Sequence, residues 1–176
     1  MNTVLSETSY AFPEALDYFP DLDDFNVGVD DYLENIRKAK ERVKIPIIGS
    51  LNGITTEGWI DYSKQIEQAG ADGLEVNIFF IPADITMSSS EVEHRYLNII
   101  EAIKSNVKIP VAVKLNPYFS STGNMAMRMK NSGADALVLF NRFYQPDFDI
   151  NEMVLKTDLH YSEPSEIRLP LLWIAL

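Results

Sequence analysis

The sequence predicts an α/β domain built on a parallel sheet, and two internal echoes carry that expectation. K-I-P-I-I-G-S-L-N-G at Lys44–Gly53 returns about sixty residues later as K-I-P-V-A-V-K-L-N-P at Lys108–Pro117. A-G-A-D-G-L-E-V-N at Ala69–Asn77 returns as S-G-A-D-A-L-V-L-F-N at Ser132–Asn141, each time with a glycine where a helix C-cap hands over to a strand. Strand, helix, Gly-Ala-Asp, strand is thus written twice. Alternation of this kind requires a parallel sheet with crossover helices, either a (β/α) barrel or an open doubly wound sheet.

The elements follow in order. Residues 1–33 hold no convincing strand, only an aromatic stretch at Ser9–Phe19 and an acidic loop at Pro20–Asp24, and they read as a loop excursion. Asp30–Val43 is a helix with Tyr32, Leu33, Ile36, Ala39 and Val43 as its apolar stripe and Asp30 as N-cap. The β/α units occupy 44–147. They comprise a strand Ile45–Leu51, a helix capped by Thr56 running to Ala69 over Trp59, Ile60 and Ile66, and a strand Gly73–Ile78. A loop of about a dozen residues, Phe79–Ser90, comes next, a length typical of binding loops. Ser89 or Ser90 then caps a helix with Val92, Tyr96, Ile99, Ile100 and Ile103 inward.

The strand starting at Lys108 ends at Pro117. A methionine-rich helix, Ser121–Asn131, follows, its methionines read as adaptable core filling, and it leads to the strand Ala136–Asn141. Alternating runs within 148–159, at Phe148–Ile150 and Val154–Leu159, predict an inserted β-hairpin. Residues 162–176 form a last helix with Pro164 in its first turn and a bend at Pro170. Its apolar face reaches Leu176 without a stop signal. The pattern as a whole predicts about four β/α units, a partial barrel that leaves two edges and an inner face unpaired.

Composition narrows the function. The 176 residues are 46% hydrophobic and 11% aromatic, enough for one domain with a core. A net charge of −11 argues against nucleic acid and against an anionic membrane surface. Without cysteine there is no disulfide, thiolate metal site or cysteine nucleophile, and His94 and His160 lack metal-ligand spacing. No apolar run approaches the roughly 18 residues of a membrane helix, so the expectation is a soluble, cytoplasmic protein.

Alternate strand residues share a face. Counting back from the strand ends places Asn52, Ser50 and Ile48 on one face of the first strand, Asn77 and Glu75 on the second, Lys114 and Ala112 on the third, and Asn141 and Leu139 on the fourth. Ile47, Leu51, Leu74, Val76, Val111, Val113, Val138 and Phe140 are left for overlying helices. Polar groups therefore gather at the carboxyl ends of consecutive strands, where α/β proteins place their sites. A lysine at the end of a buried strand needs an anion or an electron-rich ring. Amides, a serine, a lysine and a glutamate without a metal triad or a histidine base suit hydrogen bonding to a planar polar heterocycle such as a flavin or a pyrimidine.

At G-A-D-G-L-E-V-N, V-K-L-N-P-Y-F and L-V-L-F-N-R-F-Y-Q-P the chain resembles the dihydroorotate dehydrogenase family, from about Ile45 to Trp173. The resemblance implies a (β/α)8 TIM-barrel fold, FMN as cofactor, and oxidation of dihydroorotate to orotate in pyrimidine synthesis. It matches Lys114 to the lysine at the flavin N1/O2 edge and Asn77 to the first asparagine of the N-L-S-C-P-N loop, which touches flavin and substrate. It also matches Asn141 to a substrate-binding asparagine and places Ser50 where a strand end approaches the flavin. Where the family carries its cysteine or serine base, this chain has Phe80, which takes no proton. The family's phosphate-binding strands belong to the last quarter of the barrel, so the chain is expected to be the barrel's central part, and activity is expected of the full-length protein. The implied partner is a dihydroorotate-like small molecule, with homo-oligomerisation left open. The alternatives are a non-catalytic barrel fragment acting as an interaction or structural module, and another barrel enzyme acting on a phosphorylated sugar.

Overall fold

The computed structural model describes residues 28–52, 56–78, 80, 82–141, 147–156 and 163–176. The chain divides into two compact units, one of Val29–Arg142 with Glu163–Leu176 and the other of Met1–Gly28 with Phe143–Ser162. The first unit runs α1 (Val29–Arg42), β1 (Ile48–Leu51), α2 (Thr56–Gln68), β2 (Gly73–Asn77), α3 (Ser89–Lys104), β3 (Val111–Leu115), α4 (Thr122–Asn131) and β4 (Ala136–Leu139). It closes with a 3₁₀ turn at Pro164–Ile167 and α5 (Arg168–Ala175). In the second unit β5 (Asp147–Asp149) and β6 (Val154–Lys156) form the expected antiparallel hairpin. Most of the 1–33 excursion and the end of the hairpin, 157–159, lie outside the described residues, and α1 already begins at Val29.

The four strands of the first unit are parallel and lie in sequence order, β1-β2-β3-β4. A doubly wound sheet would reverse its order at a switch point and cover both faces. Among the described residues one face alone carries the core. Leu74, Val76, Val111, Val113 and Leu115 are wholly buried with Trp59, Ile66, Tyr96, Ile100, Ile103 and Met129, whereas Ile48 on the other face is 62% exposed. This is the arrangement of a partial (β/α) barrel. Met125 and Met129 are buried as the core filling read from the sequence, while Met127 faces solvent.

Several boundaries differ from the sequence reading for identifiable reasons. Asp30 lies inside the first turn of α1 with Asp31, where a carboxylate complements the helix dipole, so it is not the N-cap. Neither Ser89 nor Ser90 caps α3; Ser88 does, accepting from Glu91 N–H while its own N–H donates to the Glu91 carboxylate. The last helix starts as a 3₁₀ turn, and Pro170 sits in the first turn of α5, where its missing N–H costs little; the expected bend is a change of helix type.

The two Gly-Ala-Asp echoes prove to be one device used twice. Gly70 and Gly133 end their helices with φ of +95° and +106°. Two residues later the aspartate clips helix to strand. Asp72 accepts from Lys40 Nζ at 2.7 Å and from Ile47 N–H at 2.7 Å, and Asp135 accepts from Lys104 Nζ at 2.7 Å and Val111 N–H at 2.8 Å. The lysine, then the backbone donor, holds each carboxyl below the usual carboxylate range. A lowered folded pKa adds stability that is complete above the unfolded value, about 4, and is lost as pH falls through the folded value. Urea midpoints should therefore drop below about pH 4. Asp135→Ala should cost about 1 kcal/mol at neutral pH by stranding the Val111 N–H and should flatten that acid decline. An unchanged decline would show that Asp135 does not contribute.

At the outer side of β1, Tyr32 of α1 takes both main-chain groups of one residue. Its hydroxyl accepts from Ser50 N–H at 2.7 Å and donates to Ser50 C=O at 3.1 Å.

Candidate functional site

The pairing register sets the candidate site. Ser50 stands opposite Glu75, and Asn77 opposite Lys114. Ser50, Glu75, Asn77 and Lys114 thus share the face away from the core, near the carboxyl ends of three adjacent strands. Glu75 is the hub. One of its oxygens accepts from Ser50 Oγ at 2.8 Å and lies 3.6 Å from Lys114 Nζ. The Glu75 and Lys114 side chains are 20% and 29% exposed, so the pair is partly desolvated and open on one side. Lys114 therefore meets the anion that a strand-end lysine requires within the fold itself.

Asn141 joins this patch by an unforeseen route. Lys114 pairs with Val138, which puts Val138 on the polar face and Leu137 and Leu139 with the core-side residues Val113 and Leu115. The parity read for the fourth strand, with Leu139 beside Asn141, is thus wrong by one residue. The strand ends at Leu139, two residues before Asn141, so alternation no longer governs where Asn141 points. Its N–H donates to Leu115 C=O, and its side-chain amide donates to Asn77 Oδ1 at 2.8 Å. That bond leaves the NH₂ of Asn77 and the amide oxygen of Asn141 outside it, a donor and an acceptor side by side.

Asn116 belongs to the fold. Its amide donates to the Tyr96 hydroxyl at 2.9 Å and its oxygen accepts from Tyr118 N–H at 2.8 Å. Asn52, just past β1, is exposed. Phe80 is half-buried, with the Arg95 guanidinium 4.3 Å from its ring centroid, a cation–π contact between the loop and α3. Of the serines in the same loop, Ser88 is engaged with Glu91 and Ser90 with His94 in the first turn of α3. Periodicity could not reveal these polar roles of Arg95 and Tyr96, because it counts Tyr96 only as one more apolar residue of the helix.

Among the described residues no group of acidic or histidine side chains is placed to hold a metal, and no helix is long and apolar enough to cross a membrane.

The family model described as dihydroorotate dehydrogenase matches residues 24–157, well over half of the chain. The chain belongs to the dihydroorotate dehydrogenase family. Its relatives include the catalytic subunit of dihydroorotate dehydrogenase B (NAD(+)) from Methanocaldococcus jannaschii, 32% identical over 120 residues that make up 66% of this chain and 39% of the relative. The same subunit from Thermoplasma volcanium is 33% identical over 130 residues, 71% of this chain and 41% of the relative. The chain thus spans about two-fifths of the length of these dihydroorotate dehydrogenases. Among solved structures, phosphonopyruvate hydrolase superimposes with a TM-score of 0.52 at 19% identity, over 76% of this chain and 49% of that one, a likeness of fold alone.

Proposed function

We propose that the protein containing this chain is an FMN-dependent oxidoreductase that acts on dihydroorotate or a related CH–CH substrate, in cytoplasmic pyrimidine biosynthesis. One observation carries the reading. In a chain of this family, Lys114 and Asn77 are register partners at the strand ends, with Ser50 and Asn141 reaching the same patch through Glu75 and Asn77. That set fits a flavin, since an ammonium and a neutral amide donor, with the Ser50 oxygen left as an acceptor by the proton it gives to Glu75, complement the carbonyl and N–H edge of an isoalloxazine ring. The FMN, when bound, supplies the hydride acceptor.

The chain's own residues bind and orient. Ser50, Asn77 and Lys114 contact the cofactor, and Asn77 and Asn141 contact the substrate. Glu75 holds the Lys114 ammonium and the Ser50 hydroxyl at the strand ends, so neither must be reorganised as charge develops. Asn141 orients the Asn77 amide by fixing its oxygen, which directs its NH₂ outward.

Purified whole protein should be yellow and show the visible absorption bands of bound flavin. Colourless protein that takes up no added FMN would sink this reading and favour a non-catalytic interaction module instead.

A further inference from the structure

The backbone ladder between β2 and β3 stops at the pair Asn77 and Lys114, where the proposed site begins. One side chain spans the gap just beyond it. Tyr96 of α3 is fully buried, and its hydroxyl donates to Ile78 C=O at 3.2 Å, one residue past Asn77. The same hydroxyl accepts from the side-chain amide of Asn116 at 2.9 Å, two residues past Lys114. Asn116 in turn accepts from Tyr118 N–H at 2.8 Å, and the Tyr96 ring meets Phe119 edge to face at 5.2 Å. Arg95, next in the helix, covers Phe80.

We propose that Tyr96 is a positioning residue, a side-chain rung that replaces the missing backbone rung and so fixes the spacing of Asn77 and Lys114. The proposal deepens the flavin reading and rests on it for its catalytic consequence. The physical argument is one of satisfaction and geometry. Parallel strands leaving a sheet diverge into separate loops, and Ile78 C=O would enter a buried environment without a partner were the hydroxyl absent. One hydroxyl that both donates and accepts couples the two loops, so displacing either moves the other. Burial pushes the Tyr96 phenol above its ordinary pKa, which keeps it protonated and able to donate at every physiological pH. Phenylalanine in its place would keep the core filled and remove the rung alone.

The test uses the whole protein with Tyr96→Phe, with Asn116→Ala as the second variant because Asn116 is only half-buried and its loss leaves no core cavity. Amide hydrogen exchange should speed up in the segments around Ile78–Phe80 and Asn116–Phe119 together, and stay unchanged at the Asp72 and Asp135 clips. In flavin-loaded protein either variant should alter the visible flavin spectrum and lower kcat about ten- to a hundredfold with a smaller change in KM. The double variant should be little worse than either single one. Exchange that rises in only one segment, or everywhere equally, overturns the proposal, as do additive effects in the double variant. If the protein proves to hold no flavin, the functional reading falls while the exchange experiment still decides on Tyr96: a coupled rise in both segments upholds the rung, and its absence removes it.

Discussion

Replacing Lys114 with alanine in the whole protein should slow flavin reduction about 10²–10³-fold, the usual cost of removing a donor aimed at developing charge. The fold should persist, because Lys114 is 29% exposed and lies on the face opposite the core. Two effects act together. The variant loses the cation proposed to lie beside the flavin, and it leaves Glu75 as an uncompensated carboxylate with Ser50 as its remaining partner at this patch. Glu75→Gln separates them. If the lysine acts on the flavin, Glu75→Gln should reduce the rate far less than Lys114→Ala, whereas an ion pair needed only for structure would make the two variants alike. Stopped-flow reduction by substrate reads both. A Lys114→Ala protein that is reduced at the wild-type rate would make the lysine a structural partner of Glu75 and nothing more.

Phe80 should have the second large effect, in the opposite sense. Dihydroorotate oxidation removes a proton from carbon as hydride leaves, and a positioned base contributes about 10²–10⁴ to such a step. Phe80 supplies no base. The protein should therefore be reduced by dihydroorotate at least about a hundredfold more slowly than relatives with a cysteine or serine there, and Phe80→Ser or Phe80→Cys should raise the rate. Arg95 sharpens the expectation, since it stacks on the Phe80 ring and would be left beside the new side chain, where a guanidinium favours a thiolate. Ser88 is held as the N-cap of α3 by Glu91, and Ser90 in its first turn by His94, which argues against either serving as a substitute base. A fast wild-type phase that vanishes on mutating Ser88, Ser89 or Ser90 would refute this account of Phe80.

How far the sequence revealed this protein depends on what kind of regularity each feature leaves. The two echoes foretold the parallel sheet, the glycines at 70 and 133 and the strand-end location of Ser50, Asn77 and Lys114, because these follow from period and parity. They did not foretell what the repeated aspartates do. Asp72 and Asp135 reach back to a lysine one helix earlier and to a strand N–H, contacts 24–32 residues away that no local pattern encodes. Parity fails at the fourth strand because Asn141 lies beyond Leu139, where the strand stops. Tyr96 was visible as an inward-facing residue but not as a hydrogen-bond donor. A helix stripe records which side of a residue is buried and says nothing of where its polar tip ends.

The Tyr32 hydroxyl on Ser50 bears on which polypeptide is admitted beside β1. In the described sheet β1 is an end strand, the place where foreign strands and aggregating neighbours add themselves. With the N–H and C=O of Ser50 both occupied by one phenol, an arriving strand finds no docking groups at the middle of the edge until α1 releases Tyr32. Among the described residues the helix that precedes the sheet thus occupies, at Ser50, the hydrogen-bonding groups that β1 would otherwise offer to a strand beside it.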